Sequence, residues 1–157
     1  MKSWRDREMV SAMVFSATER VLEKGALNTG TPAMAAAGNQ AEINALLRAD
    51  DRIWNGLLTA SIIRHIVRNC DALEGPGRLA RTSYFLPLYN RARSLGASRA
   101  QLEAFVEDDA EQARMEEATE RYIRQTGARP GDQASICALG RAEMAAGTPI
   151  GRRLSER

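Results

Sequence analysis

The fold is decided by the stretch Ile62-Ile63-Arg64-His65-Ile66-Val67-Arg68-Asn69-Cys70. It closes a longer run, from Glu42 to Cys70, in which apolar residues recur every three or four positions. Such spacing predicts an amphipathic helix, and this one is the most apolar in the chain. Asp50 and Asp51 interrupt the run and predict a second helix start inside it. Cys70 follows Ile66 by four residues, so both side chains share one helix face.

The rest of the chain predicts more helices and no strand-period segment longer than a few residues. Helical spacing of apolar residues recurs in four further segments, namely about Arg5 to Lys24, Arg78 to Leu95, Arg99 to Gln125 and Asp132 to Ala146. Pro87 should kink or divide the second of these. Gly96 suits a left-handed helix end, and Ser98 with Gln101 matches a capping box. The predicted fold class is all-α, a compact bundle of four to six helices.

Residues 25 to 40 have the glycine, asparagine and proline content of a linker. We therefore predict an N-terminal helix and linker appendage over residues 1–40 and a helical domain over 41–157. No run approaches the roughly 18 apolar residues that a membrane helix needs, so no transmembrane segment is predicted. The N-terminus makes a poor signal peptide, because Ser11 interrupts its apolar stretch and Glu19 soon follows.

The charge is nearly balanced in total but uneven along the chain. The formal net charge is +2, which gives no argument for a nucleic-acid or membrane partner. Residues 98–120 hold eight acids against two arginines. Residues 78–93 hold no acid and four arginines, Arg78, Arg81, Arg91 and Arg93. Either neighbouring antiparallel helices offset each other's charge, or each segment presents a charged face to a partner.

A second candidate for protein interaction lies at the C-terminus. Its residues are two apolar side chains around paired arginines, Ile150, Arg152, Arg153 and Leu154. Two interpretations apply: the segment packs back on the domain, or it offers a short docking element to another protein.

Few residues suggest chemistry. His65 is the single histidine and has no obvious nucleophile beside it. Glu103, Glu107 and Glu111 would share one face of a continuous helix, a geometry that binds divalent cations, although such acids are more often a solvated face. We predict no catalytic residues, no metal site and no cofactor. The alternative is a metal-binding protein or enzyme that uses His65 with this acidic helix, residues 103–111, including Asp108.

Two cysteines, Cys70 and Cys137, are separated by 137 − 70 = 67 residues. Neither belongs to a CxxC pair, which argues against zinc binding and a thioredoxin-type centre. Spacing leaves two interpretations open, a structural disulfide and two thiols buried apart in a core.

From about Ile53 onward the chain resembles a family of alphaproteobacterial proteins, domain of unknown function 5333. The motifs that carry the resemblance are Asn55-Gly56-Leu57-Leu58, Arg68-Asn69-Cys70-Asp71, Phe105-Val106-Glu107-Asp108-Asp109-Ala110-Glu111 with Arg114-Met115, and Ser135-Ile136-Cys137-Ala138-Leu139-Gly140-Arg141-Ala142-Glu143. Similar proteins begin with a secretory signal and share both cysteine motifs. The resemblance therefore implies a Cys70–Cys137 disulfide and a periplasmic location, with the cytoplasm as the alternative because no clear signal is present here.

These observations lead to one functional expectation. A stable scaffold with charged faces favours a non-enzymatic, envelope-associated interaction or accessory protein whose partner is another protein.

Overall fold

The computed structural model describes residues 39–157. Six helices lie in this range, α1 (Gln40–Ala49), α2 (Asp51–Asn69), α3 (Arg78–Ser94), α4 (Arg99–Glu107), α5 (Asp109–Gln125) and α6 (Gln133–Ala146). Two strands of two residues each, β1 (Leu73–Glu74) and β2 (Ser155–Glu156), form a small antiparallel sheet. The all-α prediction and its range of four to six helices are confirmed. Within the described range no helix is both long and apolar enough to cross a bilayer.

The predicted helix from Arg5 to Lys24 and almost all of the predicted linker lie outside the described residues. Where the description begins, Asn39 caps α1 by accepting a hydrogen bond from the Glu42 backbone N–H at 2.9 Å. The proposed boundary between residues 40 and 41 stays a prediction.

Residues 39–54 and 78–111 belong to one compact unit. Its buried apolar side chains come from α1, the start of α2, α3 and α4, and include Ile43, Leu47, Ile53, Phe85, Leu88, Leu102 and Phe105. Polar contacts connect the same helices. Gln40 donates through Nε2 to the Gln101 carbonyl at 2.9 Å, and Arg91 donates to Asp50 through Nε at 3.0 Å and Nη2 at 2.8 Å.

Two aspartates end one helix and begin the next. The Asp50 side chain accepts the Ile53 N–H at 3.0 Å, and the Asp108 side chain accepts the Glu111 N–H at 2.9 Å. The predicted start at Asp50 is confirmed. The single helix predicted from Arg99 to Gln125 is wrong, because Asp108 leaves helical geometry at φ −68° and ψ 123° and caps α5.

The boundary between α3 and α4 follows its sequence signals. Gly96 adopts φ 104°, and the Ala97 N–H bonds back to the Ala92 carbonyl at 3.2 Å, as in a Schellman motif. Ser98 and Gln101 then form the predicted capping box. Pro87 does not divide α3, which runs unbroken from Arg78 to Ser94. Proline removes only one backbone hydrogen bond, and the helix continues on both sides of Pro87.

Residues 55–77 and 112–157 form the second compact unit. Its core cluster draws on α2, β1, the end of α5, α6 and the C-terminal segment, with Ile62, Ile66, Leu73, Ile123, Ile136, Leu139, Ile150 and Leu154 among its buried members. A buried polar pair also joins α2 to α5. Thr119 donates its single hydroxyl proton to the Met115 carbonyl at 2.8 Å, so Ser61 is the donor in its 2.7 Å bond to Thr119.

Candidate functional site

A disulfide joins Cys70, directly after α2, to Cys137 in α6, and the two Cα atoms are 5.2 Å apart. Cys70 is 0% exposed and belongs to the core cluster of the second unit, whereas Cys137 is half-buried and packs against that cluster from outside. The cross-link implied by the family resemblance is therefore confirmed.

The C-terminal segment joins the same two regions a second time. In the β1–β2 pair, Leu73 lies opposite Glu156 and Glu74 opposite Ser155. The Arg157 N–H donates to the Ala72 carbonyl at 2.9 Å, and Arg141 of α6 donates through Nε to Glu156 at 2.7 Å. We call the disulfide, the β1–β2 pair and these two contacts the clasp. It fixes the residues after α2 to α6.

A buried carboxylate holds the turn between α6 and the C-terminal segment. Glu143 is 7% exposed and accepts the Tyr122 hydroxyl at 2.5 Å. The Thr148 hydroxyl donates to the other Glu143 carboxylate oxygen and itself accepts the Gly151 N–H at 3.0 Å. Each carboxylate oxygen thus has a hydroxyl donor, as a buried charge requires. The arrangement fixes α5, α6 and the C-terminal turn to one another.

Tyr122 reports on this network. Burial, followed by the hydrogen bond to Glu143 and the charge of that carboxylate, raises the pKa of Tyr122 to about 12. Tyrosine in an unfolded chain has a pKa of about 10, so between these values the folded state retains a proton that the unfolded state releases.

We therefore expect the free energy of unfolding to fall as pH rises from about 10 to about 12, and the contribution of Tyr122 to be fully present below about pH 10. Phenolate absorbance of the folded protein and chemical denaturation across this range measure the two effects. Tyr122→Phe should lack both the late absorbance step and its share of the alkaline loss. A Tyr122 that titrates at its ordinary pKa would contradict the network.

Two glycines near the clasp allow other parts of the chain to lie directly against them. A Cβ atom on Gly140 would overlap the Leu73 side chain and lie 3.0 Å from Cγ2 of Ile66. A Cβ atom on Gly151 would overlap the backbone carbonyl of Glu143. The C-terminal turn therefore lies directly against the α6 backbone, and only glycine fits at position 151.

His65 lies on α2, half-buried, and its Nε2 atom has no hydrogen-bond partner among the described residues. Burial lowers the pKa of His65, while the nearby carboxylates of Glu120 and Glu116 act in the opposite direction. A neutral imidazole on a helix flank is the result.

The four arginines of α3 differ in what they do. Arg91 is bound to Asp50, and Arg93 donates to the Ala97 carbonyl at 3.1 Å, so both serve helix ends of their own unit. Arg78 is exposed at the start of α3 and Arg81 is half-buried. Leu79, next to Arg78, is 83% exposed, more than any other large apolar side chain among the described residues.

Three acids of residues 98–120 pair with arginines of their own helix. Glu103 bonds to Arg99 at 3.1 Å, and on α5 Glu117 and Glu120 bond to arginines four residues on, at 3.1 and 2.9 Å. These contacts offset charge within each helix. The choice between charge offset by neighbouring helices and a charged face for a partner stays a prediction.

The C-terminal candidate residues divide into core and surface. Ile150 and Leu154 are 5% and 7% exposed and belong to the core cluster, so the structure contradicts their use as a docking element and supports the interpretation that the segment packs back. Arg152 donates to the Gly147 carbonyl at 2.8 Å and Arg153 to the Pro149 carbonyl at 2.6 Å. Both arginines close the turn that Glu143 holds.

The predicted acidic face is interrupted. Glu103 and Glu107 belong to α4, but the helix ends at Glu107, so Glu111 does not continue their face. Glu111 is 6% exposed and forms an ion pair with Arg48. Among residues 39–157 no group of three histidine, cysteine or acidic side chains is placed to hold a metal ion.

The sequence interpretation missed the network around Glu143. A signal was present, because Glu143 lies on the same α6 face as Ile136 and Leu139, where an acid is out of place unless it is bonded. No sequence pattern indicates the role of Thr148, because that role depends on the turn that follows α6.

The model of a family of unknown function, DUF5333, matches the chain over residues 45–155. No curated protein and no solved structure matches it.

Proposed function

The chain belongs to the DUF5333 family, and we propose that it is a non-enzymatic, envelope-associated accessory protein, a disulfide-linked helical scaffold that binds another protein in the periplasm. The Cys70–Cys137 disulfide carries this proposal, because such cross-links persist in oxidising compartments and are rare where thiols are kept reduced. The clasp around it supports a scaffold role, since it fixes three separate parts of the second unit.

The first turn of α3 is the proposed contact surface. Leu79 is 83% exposed, and Arg78 and Ala80 beside it are also exposed. Burial of a leucine side chain on binding contributes about 1.5–3 kcal/mol. A partner that covers it would have an apolar pocket with a carboxylate at the edge, facing Arg78.

A photo-crosslinking amino acid at position 79 in the native host tests this surface. We expect one discrete protein adduct in the periplasmic fraction, and a charge reversal, Arg78→Glu, should reduce it. The same crosslinker at Ala110, an exposed residue at the start of α5, is the matched control and should give none. No adduct at position 79, or the same adduct at both, would contradict the proposal.

Once the partner is identified, Leu79→Asp should weaken binding at least tenfold, about 1.4 kcal/mol. Stability should change by less than about 0.5 kcal/mol, because the side chain is already in water.

Metal analysis of the purified protein tests the alternative function. Stoichiometric bound metal would favour a metal-binding protein, with His65 and the acids of residues 103–111 as the first ligands to substitute.

A further inference from the structure

We propose that the disulfide is made and opened through Cys137 alone, so that Cys137 is the attachment site for a thiol–disulfide oxidoreductase or a small thiol such as glutathione. The two sulfur atoms are in unequal surroundings. Cys70 is 0% exposed inside the core cluster, whereas Cys137 is half-buried at its margin. A thiolate must reach the sulfur that it attacks, so access decides which one reacts.

The exposed face of α6 leaves an approach to Cys137. Its neighbours one turn before are Gln133 and Ala134, and Arg141 lies one turn after; all three are exposed. Ala134 and the adjacent exposed Ala138 carry a single methyl group each. Arg141 is bound to Glu156 through two contacts, of 2.7 and 3.3 Å. A reactant approaching Cys137 from solvent therefore meets two methyl groups, the Gln133 side chain and one arginine that is already paired.

The exchange reaction balances with a thiol as reductant. The incoming thiolate forms a bond to Sγ of Cys137, the Cys70–Cys137 bond breaks, and its electron pair leaves on Sγ of Cys70. Cys70 then takes up a proton, because burial in apolar surroundings disfavours a thiolate. A second thiol attacks the mixed disulfide and frees Cys137, so two thiols supply two electrons and two protons. Formation of the disulfide is the reverse.

The clasp keeps Cys70 in place to act as the resolving thiol, which attacks the mixed disulfide on Cys137. While Cys137 carries the incoming thiol, the β1–β2 pair and the Arg157–Ala72 bond still hold the residues after Cys70 against the C-terminal segment. Cys70 therefore stays near Cys137 as the resolving thiol. In the wild-type protein the mixed disulfide should be short-lived, and it should accumulate when Cys70 is absent.

Full-length Cys70→Ala and Cys137→Ala variants treated with glutathione disulfide test the assignment. Intact-mass spectrometry follows the glutathione adduct. Cys70→Ala, with Cys137 free, should react at least about tenfold faster than Cys137→Ala, whose Cys70 reacts only after the core opens. Low urea should accelerate the reaction of Cys70 and leave that of Cys137 unchanged. Equal rates, or a faster Cys70, would overturn the proposal.

The wild-type protein gives a test that does not depend on how the variants fold. Oxidised protein is exposed briefly to limiting reduced glutathione, quenched with acid and alkylated. Peptide mapping of the trapped species should place glutathione on Cys137 and the alkyl group on Cys70. Glutathione on Cys70 would overturn the inference even if the disulfide and the proposed scaffold role were both correct.

Discussion

Replacement of both cysteines, Cys70→Ala with Cys137→Ala, is expected to lower the free energy of unfolding by about 4 kcal/mol. The cross-link spans a sequence separation of 67, so its loss gives the unfolded chain much more freedom. Few interactions in a domain of ordinary stability contribute as much. Chemical denaturation of the oxidised wild type and the double variant measures the difference.

The reductant provides the control for this prediction. Once both thiols are free, the wild type should approach the stability of the double variant, and the double variant should not respond to reductant at all. A wild-type protein that keeps its stability after complete reduction would show that the clasp holds without its covalent part.

Gly151→Ala is expected to be nearly as damaging, with a loss of about 3 kcal/mol in the free energy of unfolding. The added methyl group would overlap the Glu143 carbonyl and the peptide that follows it, which are backbone atoms of α6. They cannot move unless the last turns of the helix unwind, and the same movement would break the bonds to Thr148. Thermal or chemical denaturation measures the loss.

Two other glycines calibrate this result. Gly140→Ala meets side chains of Leu73 and Ile66, which can rotate, so a smaller loss of about 1–2 kcal/mol is expected. Gly77→Ala meets nothing within 4 Å and should change stability by less than about 0.5 kcal/mol. A Gly151 variant as stable as the Gly77 variant would contradict the close packing of the C-terminal turn.

Local signals in the sequence predicted much of the fold. Asp50, Ser98 and Asp132 begin helices as expected, since their side chains accept backbone N–H groups that would otherwise lack partners. Gly96 and Gly147 end helices with φ of 104° and 64°. Each of these signals acts within a few residues, which is why one sequence is enough to interpret it.

Asp108 shows where such reasoning failed. Asp108-Asp109 has the same local form as Asp50-Asp51, and both first aspartates cap a new helix. The surrounding glutamates suggest one charged helix face, and this pattern hides the cap at Asp108. Contacts between residues that are distant in sequence are harder to predict than helix caps. The partner of Arg48 is Glu111, 63 residues away, and neither residue type nor spacing identifies it.

The candidate site contains one feature that was expected and one that was not. The family resemblance implied the disulfide, whereas the network around Glu143 depends on how the chain turns after α6. Ile150 and Leu154 are ordinary apolar residues near a chain end, and their burial follows from the close approach at Gly151. The family resemblance therefore identified the cysteine pair of the clasp, but nothing in the sequence identified the turn after α6.

The proposed scaffold role requires that the Cys70–Cys137 disulfide exists in the native compartment. The most direct test is non-reducing peptide mapping of the protein from its own host, with free thiols alkylated before the cells are opened. We expect one linked peptide pair that contains Cys70 and Cys137. Alkylated Cys70 and alkylated Cys137 in the bulk of the protein would contradict it.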